Sequence, residues 1–139
     1  MKPNEMTERI MRERFGGDAL IALATVENGK PFVREVDGNY LDGCFYVVTH
    51  AKSRKMQQIE KDAAVAISGE WFSAVGEGEN IGHPCREENL ALRERLKLAF
   101  STWYTMGHVN EDDPDTCILR IKLREGTLFA QGNRYDIEF

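Results

Sequence analysis

The dipeptide Asn28-Gly29 constrains this chain more than any other feature. It follows Leu20 to Glu27 (Leu-Ile-Ala-Leu-Ala-Thr-Val-Glu), a strongly apolar run that reads as a strand. Asn-Gly behind such a run supplies the left-handed conformations that a two-residue hairpin turn requires. Pro31 to Asp37 is therefore expected to return as the antiparallel partner. In that second strand Phe32-Val33-Arg34-Glu35-Val36 alternates only in part, and Arg34 stands among half-buried positions, where a charge needs a partner.

Asp42-Gly43 makes the next turn, into Phe45-Tyr46-Val47-Val48-Thr49, whose aromatic and β-branched residues suit a pleated, buried surface. After a polar turn, Ser53 is a favoured N-cap type, and Met56 and Ile59, with Ala63 beyond them, place apolar residues at helical spacing. A helix is expected from Ser53 to Lys61. Its first turn carries unpaired backbone N–H groups and the positive end of the macrodipole. Lys52, Arg54 and Lys55 crowd the same place, with the hydroxyls of Thr49 and Ser53. Cations are mildly unfavourable there unless an anion joins them, and a phosphate suits the combination; the alternative is a solvated basic helix start.

Thr49 followed by Ser53-Arg54-Lys55, with Gln58-Ile59 behind, resembles the flavin-phosphate signature of the pyridoxamine 5'-phosphate oxidase family, the FMN-binding split barrels, and the spacing from the threonine through the triplet matches without a gap. The resemblance implies that Arg54 and Lys55 hold the FMN phosphate, that Ser53 supports the phosphate turn, and that Val48 and Thr49 lie beside the flavin. It also implies a role for Arg34, three residues beyond the Pro31 of Gly29-Lys30-Pro31, toward the phosphate, and for Val36 at the ring edge. A salt bridge from Arg34 to Glu35, Asp37 or another carboxylate is the alternative reading. Family members share the flavin across a homodimer, and alignment on Gly76 to Glu79 puts Trp71 where a partner subunit contributes a side chain; a core or interface tryptophan is the other reading. Two departures bear on chemistry. Asn39 stands where the family oxidase has a lysine, and the Arg-x-His substrate motif is missing from Gly132 to Phe139. The resemblance is accordingly closer to the short bacterial general-stress and nitroimidazole-reductase-like proteins than to the vitamin B6 oxidases.

Elsewhere, Thr7 to Phe15 reads as an amphipathic helix stopped by Gly16-Gly17. Ala63 to Gly69 and Glu70 to Ile81 read as strands, the second with glycines that suggest a bulge or a close backbone approach. Pro84 at a helix entrance, with Glu87 and Glu88 in the first turn, leads into Leu92, Leu96, Ala99, Phe100 and Trp103 on one face. Val109 to Asp115 is an acidic loop of solvated type. Cys117 to Leu123 alternates as a strand, Glu125-Gly126 is expected to turn, and Thr127 to Gln131 to pair back. Six or seven strands joined mostly by hairpins, with peripheral helices, predict a mainly β, antiparallel barrel. The resemblance makes that a split barrel.

The 139 residues amount to a single domain, residues 1–139. No apolar run is long enough for a transmembrane helix, and Met1 to Met11 is too charged for a signal peptide, so the cytoplasm is the expected location. A net charge of −5 argues against nonspecific nucleic-acid or membrane-surface binding. Cys44, Cys85 and Cys117 are too widely spaced for a Cys-x-x-Cys pair and are expected as thiols; His83-Pro84-Cys85 lacks the further ligands of a metal site. The leading functional expectation is an FMN-binding oxidoreductase with a small-molecule substrate. The chemistry resides in the cofactor, so no catalytic side chain is assigned. The alternatives are the same barrel using a deazaflavin or haem, a non-catalytic flavin-binding stress or sensor protein, and a structural dimer.

Overall fold

The computed structural model describes residues 1–139. Helix α1 (Glu5–Phe15) starts from a reciprocal capping box, in which Thr7 N–H donates to Asn4 Oδ1 and Asn4 N–H to Thr7 Oγ1, both at 2.9 Å. Strands β1 (Ala19–Glu27) and β2 (Lys30–Leu41) form the expected hairpin, with Asn28 at φ 51° and Gly29 at φ 76°. Next come β3 (Cys44–His50), α2 (Arg54–Lys61), β4 (Ala64–Gly69) and β5 (Phe72–Asn80). Helix α3 (Leu90–Ala99), β6 (Thr116–Ala130) and β7 (Asn133–Glu138) complete the chain.

The strands are antiparallel in the order β3-β2-β1-β4-β5-β6-β7, and β3 also pairs with β6. That second pairing closes six strands into a barrel and leaves β7 as a flap on β6. Inward residues at period two fill it: Ile21 and Leu23, Tyr40, Phe45 and Val47, Val65 and Ile67, then Leu119, Ile121 and Leu123. Helix α1 plugs one end through Met11 and Phe15, the Phe15 ring meeting Phe45 edge-on at 5.5 Å. Helix α3 packs outside the barrel, where Leu96, Phe100 and Tyr104 bury Ile118 with the outward Tyr46 and Val48. No helix is long and apolar enough to cross a membrane.

Three local expectations are corrected. Glu125-Gly126 does not turn: β6 runs straight through, because Gly126 is needed where β5 crosses closely, a Cβ there falling 2.9 Å from both Ala74 Cβ and Ser73 O. The reversal comes instead at Gln131 (φ 53°) and Gly132 (φ 78°), which delays the last strand to Asn133. Pro84 is in a turn, where Cys85 N–H donates to His83 Nδ1, and the continuous α-helix waits until Leu90. Trp71 belongs to the β4–β5 turn at φ 52°, not to a strand.

The acidic loop is also more than solvated. Arg93 grips Glu111 with both ends of its fork, at 2.6 and 2.7 Å, and Tyr104 OH donates to the same carboxylate at 2.9 Å. These bonds, Arg93 first, lower the Glu111 carboxyl to about 2. A carboxyl depressed by folding adds stability above its ordinary value near 4.5, lost as pH falls through about 2. The stability of the segment after α3, followed by Trp103 fluorescence during thermal melts, is therefore expected to fall between these pH values, and Glu111→Gln to flatten that dependence.

Candidate functional site

Strands β2 and β3 pair only over Asn39–Leu41 with Cys44–Tyr46. Before Asn39, β2 is bonded to β1 alone, and beyond Tyr46, β3 is bonded to β6 alone. The two strands therefore splay, and backbone N–H and C=O groups along the facing edges are left for other partners. A groove of about 410 Å³ occupies the split. Val36 and Asp37 line it from β2, Val47, Val48 and Thr49 from β3, Lys55 from α2, and Trp103 and His108 from the segment after α3.

The turn from β3 into α2 brings the cations to this groove. Ser53 occupies the N-cap position of α2, but its side chain makes no capping bond, and its hydroxyl is buried without any hydrogen-bond partner. An orphaned buried hydroxyl costs about 1–3 kcal/mol. Lys55 is half-buried and has no carboxylate partner; burial first, then the charge of Arg34, lower its pKa. Arg34 is likewise lowered, by burial and then by Arg54. Three cations thus converge with one weak counter-charge, Glu27, which lies 3.6 Å from Arg54. Arg54 also stacks over the Phe32 ring at 4.5 Å.

Arg34 faces into the barrel beside β1 and makes no salt bridge. It donates to Leu23 O at 3.2 Å, to Thr25 Oγ1 at 2.8 Å and to Gln58 Oε1 at 3.0 Å. Those bonds use three of its five N–H groups and hold the guanidinium against α2. Thr25 and Gln58 are fully buried; Gln58 entered the sequence reading only as the tail of the Ser53-Arg54-Lys55 motif and Thr25 not as a site residue, and two polar residues at inward positions opposite an arginine are the signal that marks them. Asn39, in place of the family lysine, is spent on architecture: it donates to Gly16 O and Gly17 O and accepts from Arg95 Nε.

Of the residues expected from the sequence, Val36, Val48, Thr49 and Lys55 line one groove, and Arg34, Ser53 and Arg54 adjoin its cationic side. Trp71 does not join them. It is 70% exposed and lines a separate hollow with Arg14 and Phe129. Asp37, expected only as a possible ion-pair partner of Arg34, and Trp103, expected only on the apolar face of a helix, complete the groove with His108, because the segment after α3 carries the last two across β3. Cys117, opposite Thr49, is not poised as a nucleophile, since burial pushes its thiol up to about 11.

No protein-family model matches the chain, and no curated protein matches it in sequence. Solved structures do match in shape. A NimC/NimA family protein from Clostridium acetobutylicum superposes with a TM-score of 0.68 at 21% identity, over 96% of this chain and 94% of its own. From the same organism, a protein related to general stress protein 26 and described as of the pyridoxinephosphate oxidase family gives 0.66 at 15% identity, over 96% and 92%. A haem-binding protein from Mycobacterium smegmatis gives 0.70 at 16% identity, over 99% of this chain and 59% of that one. At such identities the likeness speaks for the fold, and the fold agrees with the resemblance read from the motif: this chain has the split-barrel architecture of the pyridoxamine 5'-phosphate oxidase-like proteins.

Proposed function

We propose that the chain binds FMN in the β2–β3 groove of a homodimer and acts as a flavin-dependent oxidoreductase on a small molecule. One observation carries the reading: a buried serine hydroxyl without a partner and a half-buried lysine without a counter-ion meet at the start of α2, beside an open sheet edge. A phosphate dianion would supply the acceptor that Ser53 lacks and the charge that Lys55, Arg54 and Arg34 lack. Val36, Val48 and Thr49 would flank the ring, and the unpaired edge of β2 would offer it backbone hydrogen bonds. When bound, FMN supplies hydride and electron transfer. The chain's own part is to fix the cofactor, to place positive charge near it and to limit water in the split.

The homodimer is supported by the outer face of the barrel. Val33, Ala24, Ala66 and Val75 lie directly opposite one another across β2, β1, β4 and β5, all pointing outward. Val33 is 71% and Val75 46% exposed, which makes an apolar row that a second copy would cover. Trp71 of one copy is proposed to reach the flavin of the other. Sedimentation is expected to show a dimer for the wild type and a monomer for Val33→Asp. A wild-type monomer that binds FMN fully would end the shared-site proposal.

The oxidoreductase reading is tested by adding NADH or NADPH to the FMN-loaded protein and following the visible flavin bands. Bleaching, with recovery on adding an acceptor, is expected. Flavin that binds yet is never reduced would replace the enzymatic reading with a flavin-storing or sensing role.

A further inference from the structure

We infer that the rim of the groove selects planar, cationic substrates, with Asp37 as the specificity-determining carboxylate and Trp103 as the surface against which such a molecule lies. The inference deepens the flavin-groove proposal and rests on it. Counting on from the Asn39–Tyr46 pair, Asp37 stands level with Val48, near the closed end of the split, whereas Lys55 lies beyond Thr49 and the following turn. The lining is therefore divided in charge, a cation toward the open end and a carboxylate toward the closed one.

Asp37 is half-buried and has no salt bridge. The carboxyl group beside it is Asp18, which supplies no positive charge; burial first, then a hydrogen bond to this neighbour and its like charge, raise the Asp37 pKa. Asp18 is itself fixed, accepting from Trp103 Nε1 at 2.8 Å across 85 residues of sequence. The indole is stacked on the fully buried Phe100 at 4.7 Å and 23°, with the Tyr104 ring 6.4 Å away at 27°. The His108 ring stands perpendicular to it at 6.4 Å, also on the groove. A rigid aromatic plane next to an uncompensated carboxylate offers a flat cation both a charge-assisted hydrogen bond and a π face. A carboxylate or phosphate ligand of the same shape meets two like charges there, which is how a site rejects it.

Benzamidine, as its cation, and benzoate have nearly the same shape and opposite charge, and serve as probes. Each is titrated into the FMN-loaded protein, read by the flavin spectrum, and into the flavin-free protein, read by tryptophan fluorescence. Benzamidine is expected to bind at least roughly tenfold tighter than benzoate, the scale of one charge-assisted hydrogen bond. In Asp37→Asn the ratio is expected to fall to within about threefold of one, the remainder of a single lost charged contact. Equal or tighter binding of benzoate to the FMN-loaded wild type, where the Ser53–Lys55 turn is filled, overturns the inference, whether or not the variant folds, and so does an unchanged ratio in Asp37→Asn. Loss of FMN binding with the preference intact in flavin-free protein would remove the cofactor proposal alone; FMN binding with no preference would remove this inference alone.

Discussion

Lys55→Ala is expected to weaken FMN binding by roughly 10- to 150-fold, corresponding to the loss of about 1.5–3 kcal/mol from one charge-assisted hydrogen bond. Lys55 is the cation of α2 that lines the groove, and it is held there half-buried beside Arg34 without a carboxylate. Its ammonium is thus desolvated and repelled before any ligand arrives, so an arriving phosphate meets a charge with little hydration left to lose. Arg54 is more exposed, and part of its charge is met by Glu27 and the Phe32 ring, so Arg54→Ala is expected to cost less. The same Lys55→Ala change should leave the weak binding of riboflavin, which lacks the phosphate, nearly unaltered. Fluorescence titration with both ligands checks this. An equal loss for both would place Lys55 at the ring, not the phosphate.

Gly76→Ala is expected to destabilise the fold by about 3 kcal/mol, at the upper end of overpacking effects. At Gly76 the register between β5 and β6 slips by one residue, and a Cβ would lie 2.2 Å from Lys122 O and 3.0 Å from Lys122 C. Both atoms are backbone of the neighbouring strand, so no rotamer change relieves the clash; the sheet must open. A fall in Tm of roughly 10 °C is the expected reading for a chain of this size. Gly17→Ala, where a Cβ meets nothing within 4 Å, is the matched control and should change stability by less than about 0.5 kcal/mol. A Gly76→Ala protein as stable as the control would mean that the bulge is not where β5 and β6 are locked together.

The parts of the fold that were legible in the sequence are those decided locally. Asn28-Gly29 and Asp42-Gly43 can adopt the turn conformations they show almost irrespective of their surroundings, and each joins the strands expected on either side. The polar turn before α2 was legible for the same reason: a cap-type residue with cations behind it is a short-range pattern. Glu125-Gly126 was misread because glycine serves turns and close strand crossings alike, and the crossing depends on Ala74 and Ser73, some fifty residues away. Trp71 went into a strand because an exposed tryptophan at positive φ is disfavoured locally and is tolerated only where the hairpin imposes it. The groove's far wall was invisible for a different reason. Asp37, Trp103 and His108 meet through the packing of α3 on β3 and through the Asp18–Trp103 bond, which no local pattern announces.

The phosphate turn at Ser53-Arg54-Lys55 is the point on which the functional account stands, and calorimetric titration of the wild-type protein with FMN and with riboflavin, under one set of conditions, tests it most directly. FMN is expected to bind at least roughly 100-fold tighter, since two or more charge-assisted contacts are made to the phosphate and none to riboflavin. Equal affinities, or no binding of FMN where haem binds, would contradict it.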